Sequence, residues 1–280
     1  MKYLPDHGVF FVHIPKCAGM SIRAALQDGG GSDFAPIAAD LGLDPAEAMR
    51  VTERSRGFEH PALGRIHPAH LPLALLQSHM PKTWDAMTAC KPFAVTRNPR
   101  DRFISAVMQR MKEFKDAGAI RADDPEVAQE ARAICDWLDA RDVFADIEYI
   151  HFARQIDYVE IDGTRFVPNL FPLEQLTALE HWLETTADLR IEVTHGHIRR
   201  QPRKWARVVQ PAARMLGRTL LPRPIKQALH PYWIGSAMFS NASQGYDTVD
   251  FGADVEAFIA QYYAPDAALH RAAQQAAGVA

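Results

Sequence analysis

The sequence predicts an α/β fold with a mainly parallel central sheet, and three observations carry that expectation. Val9–Ile14 and Pro92–Thr96 are short apolar runs without polar alternation, the pattern of strands buried on both faces. Each is followed by a loop and then by apolar residues at helical spacing, so strand and helix alternate along the chain. The chain has 280 residues, 48% hydrophobic and 23% charged, which is globular composition with enough length to bury a large core. No apolar run reaches the ~18–20 residues of a membrane span. Pro5, Asp6 and His7 interrupt the stretch where a signal peptide needs continuous apolar residues, so a cytoplasmic chain is expected. Cys17, Cys90 and Cys135 form no CxxC pair, which suits a reducing compartment and argues against a structural zinc site.

Val9–Ile14, bounded by Gly8 and Pro15, is the first strand. Met20–Gln27 is a helix with Ile22, Ala25 and Leu26 on one face. Residues 28–62 are rich in Gly, Asp and Pro and predict loops with a short helix near Pro45–Glu53. Pro92–Thr96 is the second strand, with Arg97 at its carboxyl end. Asn98 caps the next helix, with Pro99 at its first position and Asp101 at its third. That helix runs to about Phe114 and buries Phe103, Ile104, Val107 and Met111. Further helices are expected at Pro125–Ala140 and Leu173–Thr185, and Tyr158–Ile161, Asp162-Gly163 and Arg165–Leu170 read as a hairpin. Val255–Tyr263 is a last amphipathic helix, and the alanine-rich Ala264–Ala280 is expected to fray at its end.

Two loops carry the chemistry. In HIPKCAGMS (13–21) a strand gives way to a glycine-bearing loop and a helix start, with Lys16 in the loop and Ser21 in the first helical turn. Backbone amides and the helix dipole favour an anion there, and Lys16 adds a mobile positive charge. The spacing is not Walker A, because Pro15 precedes the lysine and Gly19 follows it. In RNPRDRFIS (97–105), Arg97 ends a strand and Ser105 stands eight residues on, so a guanidinium fork and a hydroxyl can reach one phosphate. Arg100 and Arg102 oppose the helix dipole, a conflict that a bound anion would relieve. A third feature is a stretch from Glu192 to Asp247 without an acidic residue between them, holding nine basic residues from Arg199 to Lys226. It predicts an anionic partner.

Together the two loops resemble those of sulfotransferases that use 3'-phosphoadenosine 5'-phosphosulfate (PAPS), in particular the carbohydrate sulfotransferase branch. The resemblance is sharp over residues 8–27 and 66–110, weaker at HFARQIDYV, VPNLFPLEQL and YYAPD. It implies one three-layer α/β/α domain of P-loop-like fold over residues 1–280, with a basic helical insertion or cap at about 195–233. It also implies that Lys16 contacts the bridging oxygen and stabilises the leaving phosphate. The backbone of Cys17, Ala18, Gly19 and Met20, with the Ser21 hydroxyl, would hold the 5'-phosphate, and Arg97 with Ser105 the 3'-phosphate. The family usually carries hydroxyl residues where Cys17 and Met20 stand, so weaker cofactor contacts are expected. Cys17 in such a loop is also expected to have a lowered pKa and to be oxidisable.

Sulfuryl transfer needs no redox centre or metal, but it needs a base. RIHPAHLPLALL (65–76) resembles the family's histidine-bearing block, which makes His70 the candidate base, His67 its rival and a carboxylate such as Glu59 a further alternative. His13 reads as structural, hydrogen-bonding the loop, and Glu174 as a helix anchor. The expected acceptor is a hydroxyl on a small molecule, a saccharide or a glycolipid, with an anionic acceptor fitting the basic stretch; a phenol, lipid alcohol or amine is the narrower variant. Residues 205–233 intersperse Arg with Leu, Val, Met and Trp and could rest on an anionic membrane surface, although Pro211, Pro222 and Pro224 break them. Nucleic acid is disfavoured by a pI near 6.5 and the lack of a recognition motif. The rival functions are an ATP-dependent kinase and a non-catalytic nucleotide-binding relative.

Overall fold

A fully apolar triplet needs partners on both sides, and the Val9–Phe11 strand has them. The computed structural model describes residues 1–53, 57–115, 120–193, 200–202, 239–241, 246 and 248–278. Strand β1 (Lys2–Leu4) turns through Pro5–His7 and Gly8, whose φ of 61° closes the turn, into β2 (Val9–Phe11). Helices α1 (Gly19–Gly30), α2 (Ala35–Leu41) and α3 (Pro45–Glu53) follow, then a hairpin of β3 (Phe58–His60) and β4 (Gly64–Ile66). After α4 (Leu73–His79) and α5 (Pro81–Thr88) comes β5 (Lys91–Thr96), then α6 (Pro99–Phe114) and α7 (Pro125–Asp139). A small hairpin of β6 (Glu160–Ile161) and β7 (Thr164–Arg165) precedes β8 (Asn169–Pro172) and α8 (Leu176–Ala187). The remaining described elements are β9 (Arg200–Pro202), β10 (Phe239–Asn241), α9 (Ala253–Tyr262) and α10 (Ala264–Gly278).

The main sheet runs β1-β2-β5-β8. β1 pairs antiparallel with β2, whereas β2, β5 and β8 are mutually parallel, with Phe11 opposite Phe93 and Thr96 opposite Pro172. The fold is therefore mixed α/β with a mainly parallel sheet, as the alternating pattern predicts. Because β2 and β5 are parallel neighbours, the loops leaving their carboxyl ends emerge side by side. Trp182 of α8 lies 5.5 Å from both Phe93 and Phe171, which binds that helix to the sheet. A second cluster centres on Phe103, 5.5 Å from Phe152 and 6.1 Å from Tyr263.

Several expectations hold to the residue and others need correction. Asn98 does cap α6, accepting from the amides of Arg100 and Asp101, and the helix ends at Phe114 as read. The Asp162-Gly163 turn is real, but the second arm of the expected hairpin divides. Thr164–Arg165 closes the hairpin, while Asn169–Pro172 leaves it to become the fourth strand of the main sheet. α2 forms where only loop was expected; α10 runs to Gly278 with Asp266, Leu269, His270 and Ala273 buried, and residues 279–280, where fraying is expected, lie outside the described residues.

Residues 1–194 with 250–280 form one compact unit and residues 195–249 another. In the second, β9 and β10 pair antiparallel, Arg200 opposite Asn241. The expected basic cap at 195–233 and the membrane-facing segment at 205–233 lie, apart from residues 200–202, outside the described residues. No helix among the described residues is long and apolar enough to cross a membrane.

Candidate functional site

Both sequence-derived loops leave adjacent parallel strands at the same edge of the sheet. After β2 the Val12 amide still pairs with the Phe93 carbonyl at 2.9 Å, and then the chain turns into the Lys16 loop. Lys16 (φ 68°) and Ala18 (φ 55°) both occupy the left-handed region, which costs a residue with a side chain on the order of 1–2 kcal/mol each. Strain of this kind persists where the surroundings over-determine it, and it concentrates at ligand-binding turns. Gly19 opens α1 because nothing larger fits: a Cβ there would lie 1.5 Å from His13 Nε2. Among the described residues no side chain caps α1, whose N-cap is Ala18, in contrast to α6 with Asn98.

Arg97 stands at the end of β5, and its Nη1 donates to the Lys16 carbonyl at 3.2 Å. The two segments, 81 residues apart in sequence, are thus joined directly. The Lys16 ammonium donates to Gln109 of α6, whose amide in turn donates to Glu113 at 2.7 Å. Ser105, two turns into the same helix, is 9% exposed. Ser21 is half-buried in the first turn of α1, and Met20 beside it is 65% exposed.

Cys17 corrects the expectation of a reactive thiol. It is buried beneath the loop, its one S–H shared between the Pro15 carbonyl at 3.6 Å and Gln155 Oε1 at 3.5 Å. Burial pushes the thiol up to about 12, the opposite of an activated cysteine. Its side chain anchors the loop from below, so only its backbone is available to an anion. Peptide-resolved labelling with iodoacetamide at pH 7.5 should leave Cys17 unmodified in the native protein; rapid labelling would contradict this packing.

Arg100 and Arg102 also need correction, because neither waits for an anion. Arg100 is paired in bidentate fashion with Glu256 of α9, at 2.8 and 2.7 Å. Arg102 is fully buried, donating to the carbonyls of His151 (3.0 Å) and Ala153 (2.7 Å), with Asp266 at 3.6 Å. Asp266 accepts from the amides of Gln155 (2.7 Å) and Ile156 (3.0 Å). Burial raises its carboxyl above 3.8 against the pull of Arg102 and those amides. Asp266→Ala would strand a buried guanidinium and two amides. A loss of about 3–5 kcal/mol in urea unfolding is expected, and a loss under ~1 kcal/mol would contradict the network.

Behind the loop lies a group of four histidines. His70 is 4.3 Å from His13, 4.1 Å from His67 and 5.6 Å from His151, ring centre to ring centre. His13, His67 and His70 are buried, and His151 is half-buried. His70 Nδ1 donates to the His13 carbonyl at 3.4 Å, which leaves Nε2 with the lone pair. Burial holds His13, His70 and His151 well below 6.5 and His67 at about 3. The ammonium of Lys16 adds to the depression at His151. His13 does not hydrogen-bond the loop through its ring, as expected of it; the ring packs against Gly19 and its Nδ1 has no partner among the described residues. Glu59 sits far out on β3, its side chain 78% exposed. Glu174, in the turn before α8, lies 3.5 Å from His270 Nε2 and so anchors α10, whose His270 also bonds Thr96 at 3.0 Å.

Gln109, His151, Gln155 and Asp266 were not singled out from sequence. Asp266 had a signal: with Leu269, His270 and Ala273 it shares one helical face, and an acid on an apolar face asks for a buried partner. Among the described residues no group of three or more His, Cys, Asp or Glu side chains is arranged to hold a metal ion. Comparison of the chain with family models, with curated proteins and with solved structures finds no match.

Proposed function

We propose that this site belongs to a nucleotide-dependent group transferase that binds its donor by two separate phosphates. Its particular activity in this reading is that of a PAPS-dependent sulfotransferase of P-loop-like fold, acting on a hydroxyl of a saccharide or glycolipid. The observation that carries the reading is the Arg97–Lys16 hydrogen bond. It joins an uncapped, strained lysine loop to a strand-end arginine, which is the pairing a nucleotide with phosphates at both 5' and 3' positions needs.

In this mechanism the loop amides and Ser21 hold the 5'-phosphate, and Arg97 with Ser105 holds the 3'-phosphate. The acceptor oxygen attacks sulfur in line, the bridging oxygen leaves with the phosphate, and 3',5'-adenosine bisphosphate (PAP) is released. Lys16 neutralises the charge growing on the bridging oxygen. The acceptor proton goes to a neutral histidine of the buried group, His70 through Nε2 in the primary assignment. His151 is the second candidate because it is half-buried and feels the charge of Lys16.

Thermal unfolding with PAP, adenosine 5'-phosphate, and ATP with Mg²⁺ tests the reading. PAP at 100 times its Kd stabilises by about 2.7 kcal/mol, or roughly 5 °C at this size. A shift with ATP and none with PAP would instead indicate phosphoryl transfer. Lys16→Ala should lower turnover by about 10²–10³ with the melting temperature preserved, since its charge acts on the leaving group. Arg97→Ala should weaken PAP by about tenfold or more while sparing adenosine 5'-phosphate, and equal losses on both would remove the 3'-phosphate assignment.

A further inference from the structure

Arg97 follows the last residue of β5, where its neighbour across the sheet runs out: Thr96 already faces Pro172. A side chain takes over from that strand. Gln155 Oε1 accepts from the Arg97 amide at 2.9 Å, and its Nε2 donates to the Arg97 carbonyl at 2.8 Å. The same Oε1 accepts from Cys17 Sγ at 3.5 Å. Gln155 is 0% exposed, and its own amide is held at 2.7 Å by Asp266, which Arg102 faces at 3.6 Å. Together with the Arg97–Lys16 bond this makes a closed circuit: Lys16 is bonded to Cys17, Cys17 to Gln155, Gln155 to Arg97, and Arg97 back to Lys16.

We infer that Gln155 is a positioning residue that fixes Arg97 against the Lys16 loop and thereby sets the preference for a nucleotide bearing a 3'-phosphate. The inference rests on the sulfotransferase reading for the identity of the ligand, and on the structure for the clamp itself. A backbone carries one donor and one acceptor at fixed spacing, and only a carboxamide of glutamine length answers both from this position. Glutamate keeps the acceptor but sets a carboxylate oxygen against the Arg97 carbonyl. Leucine of similar bulk keeps neither partner. The guanidinium end of Arg97 is then aimed by a backbone held on both polar groups, and the loop carrying Lys16 is held by the same oxygen.

The test compares the full-length protein with Gln155→Leu and Gln155→Glu, reading affinities for PAP and for adenosine 5'-phosphate by calorimetry. Gln155→Leu should lower the PAP-to-adenosine 5'-phosphate affinity ratio by about tenfold, the range of a lost pair of hydrogen bonds. Combined with Arg97→Ala it should lower the ratio no further, because both changes act through one guanidinium. Equal losses on both nucleotides, or additive losses in the double variant, would overturn the inference and leave Gln155 a stability residue. Should the wild-type protein show no preference for PAP, the sulfotransferase reading fails, and a ligand-free readout still judges the clamp. Hydrogen exchange should then quicken in Gln155→Leu at residues 16–18 and 97 ahead of the rest of the sheet. Unchanged exchange, or a uniform rise across the sheet, would overturn the clamp as well. If Gln155→Leu does not fold, Gln155→Glu, which keeps the acceptor, is read by the same measures.

Discussion

Lowering the pH from 7 to 5 is expected to remove a large part of the stability of the folded protein. His13, His67, His70 and His151 are held neutral by burial, His67 down to about 3 and the others well below 6.5. Well above pH 6.5 folded and unfolded chains bind the same number of protons at these sites, and stability does not depend on them. As pH falls below 6.5 the unfolded chain takes up protons that the folded chain refuses, so stability falls with pH. At pH 5 a histidine that stays neutral in the folded chain costs at most about 2 kcal/mol, and all four act in the same direction. Asp157 and Asp266 act in the opposite sense. Their carboxyls are raised above 3.8 by burial, so the fold binds those protons first and regains some stability toward the acid end. Urea midpoints measured at half-unit steps should therefore begin to drop below pH 6.5 and go on dropping, more steeply per step, as pH falls to 5, and a flat profile would mean that the histidines are solvated.

The second large effect is expected at Gly19. Gly19→Ala places a methyl 1.5 Å from His13 Nε2 and 2.1 Å from its Cδ2, so something must move. The ring cannot easily swing away. It stacks on Phe11 with centres 5.6 Å apart and meets His70 at 4.3 Å. Overpacking without an escape costs about 3 kcal/mol or more, and here it also displaces the start of α1 and the loop that bends into it. His13→Ala should rescue the variant in part. The double change removes the ring that the methyl strikes, so its loss should be smaller than the two single losses taken together. Additive losses, or a Gly19→Ala protein within ~0.5 kcal/mol of wild type, would show that the loop is held by something other than this contact.

Where local chemistry decides structure, the sequence was readable. α6 is legible from Asn98 to Phe114 because an Asn-Pro cap and an apolar stripe are both local signals. The placement of Lys16 and Gly19 in a loop after a strand, and of Arg97 at a strand end, is legible because neighbours in sequence carry that signal. β1 escaped because three residues before a proline carry no periodicity, and their strand character comes from pairing with β2. Arg165–Leu170 is expected beside Tyr158–Ile161, yet its last two residues pair with β5, because an apolar run shows that a segment is buried, not which strand it lies beside. The charges of Arg100 and Arg102 looked unanswered because their partners, Glu256 and Asp266, come from the far end of the chain. Cys17 looked reactive because loop position was visible and burial was not.

The Asp266 contacts put the completion of this network late in the making of the chain. Cys17 leans on Gln155 across 138 positions, and Gln155 leans on Asp266 across another 111. A ribosome that has released residues 1–200 has already exposed β2, β5, the lysine loop and Arg97, yet it still withholds the carboxylate that steadies the glutamine between them. During that interval a buried arginine, Arg102, has no counter-charge, and the sheet must wait for α10 before its carboxyl edge can settle. Contacts of such sequence separation slow folding and prolong the life of half-made states. The frame that aligns the Lys16 loop with Arg97 is thus completed late in synthesis, and a nascent chain arrested before α10 would carry both segments without it.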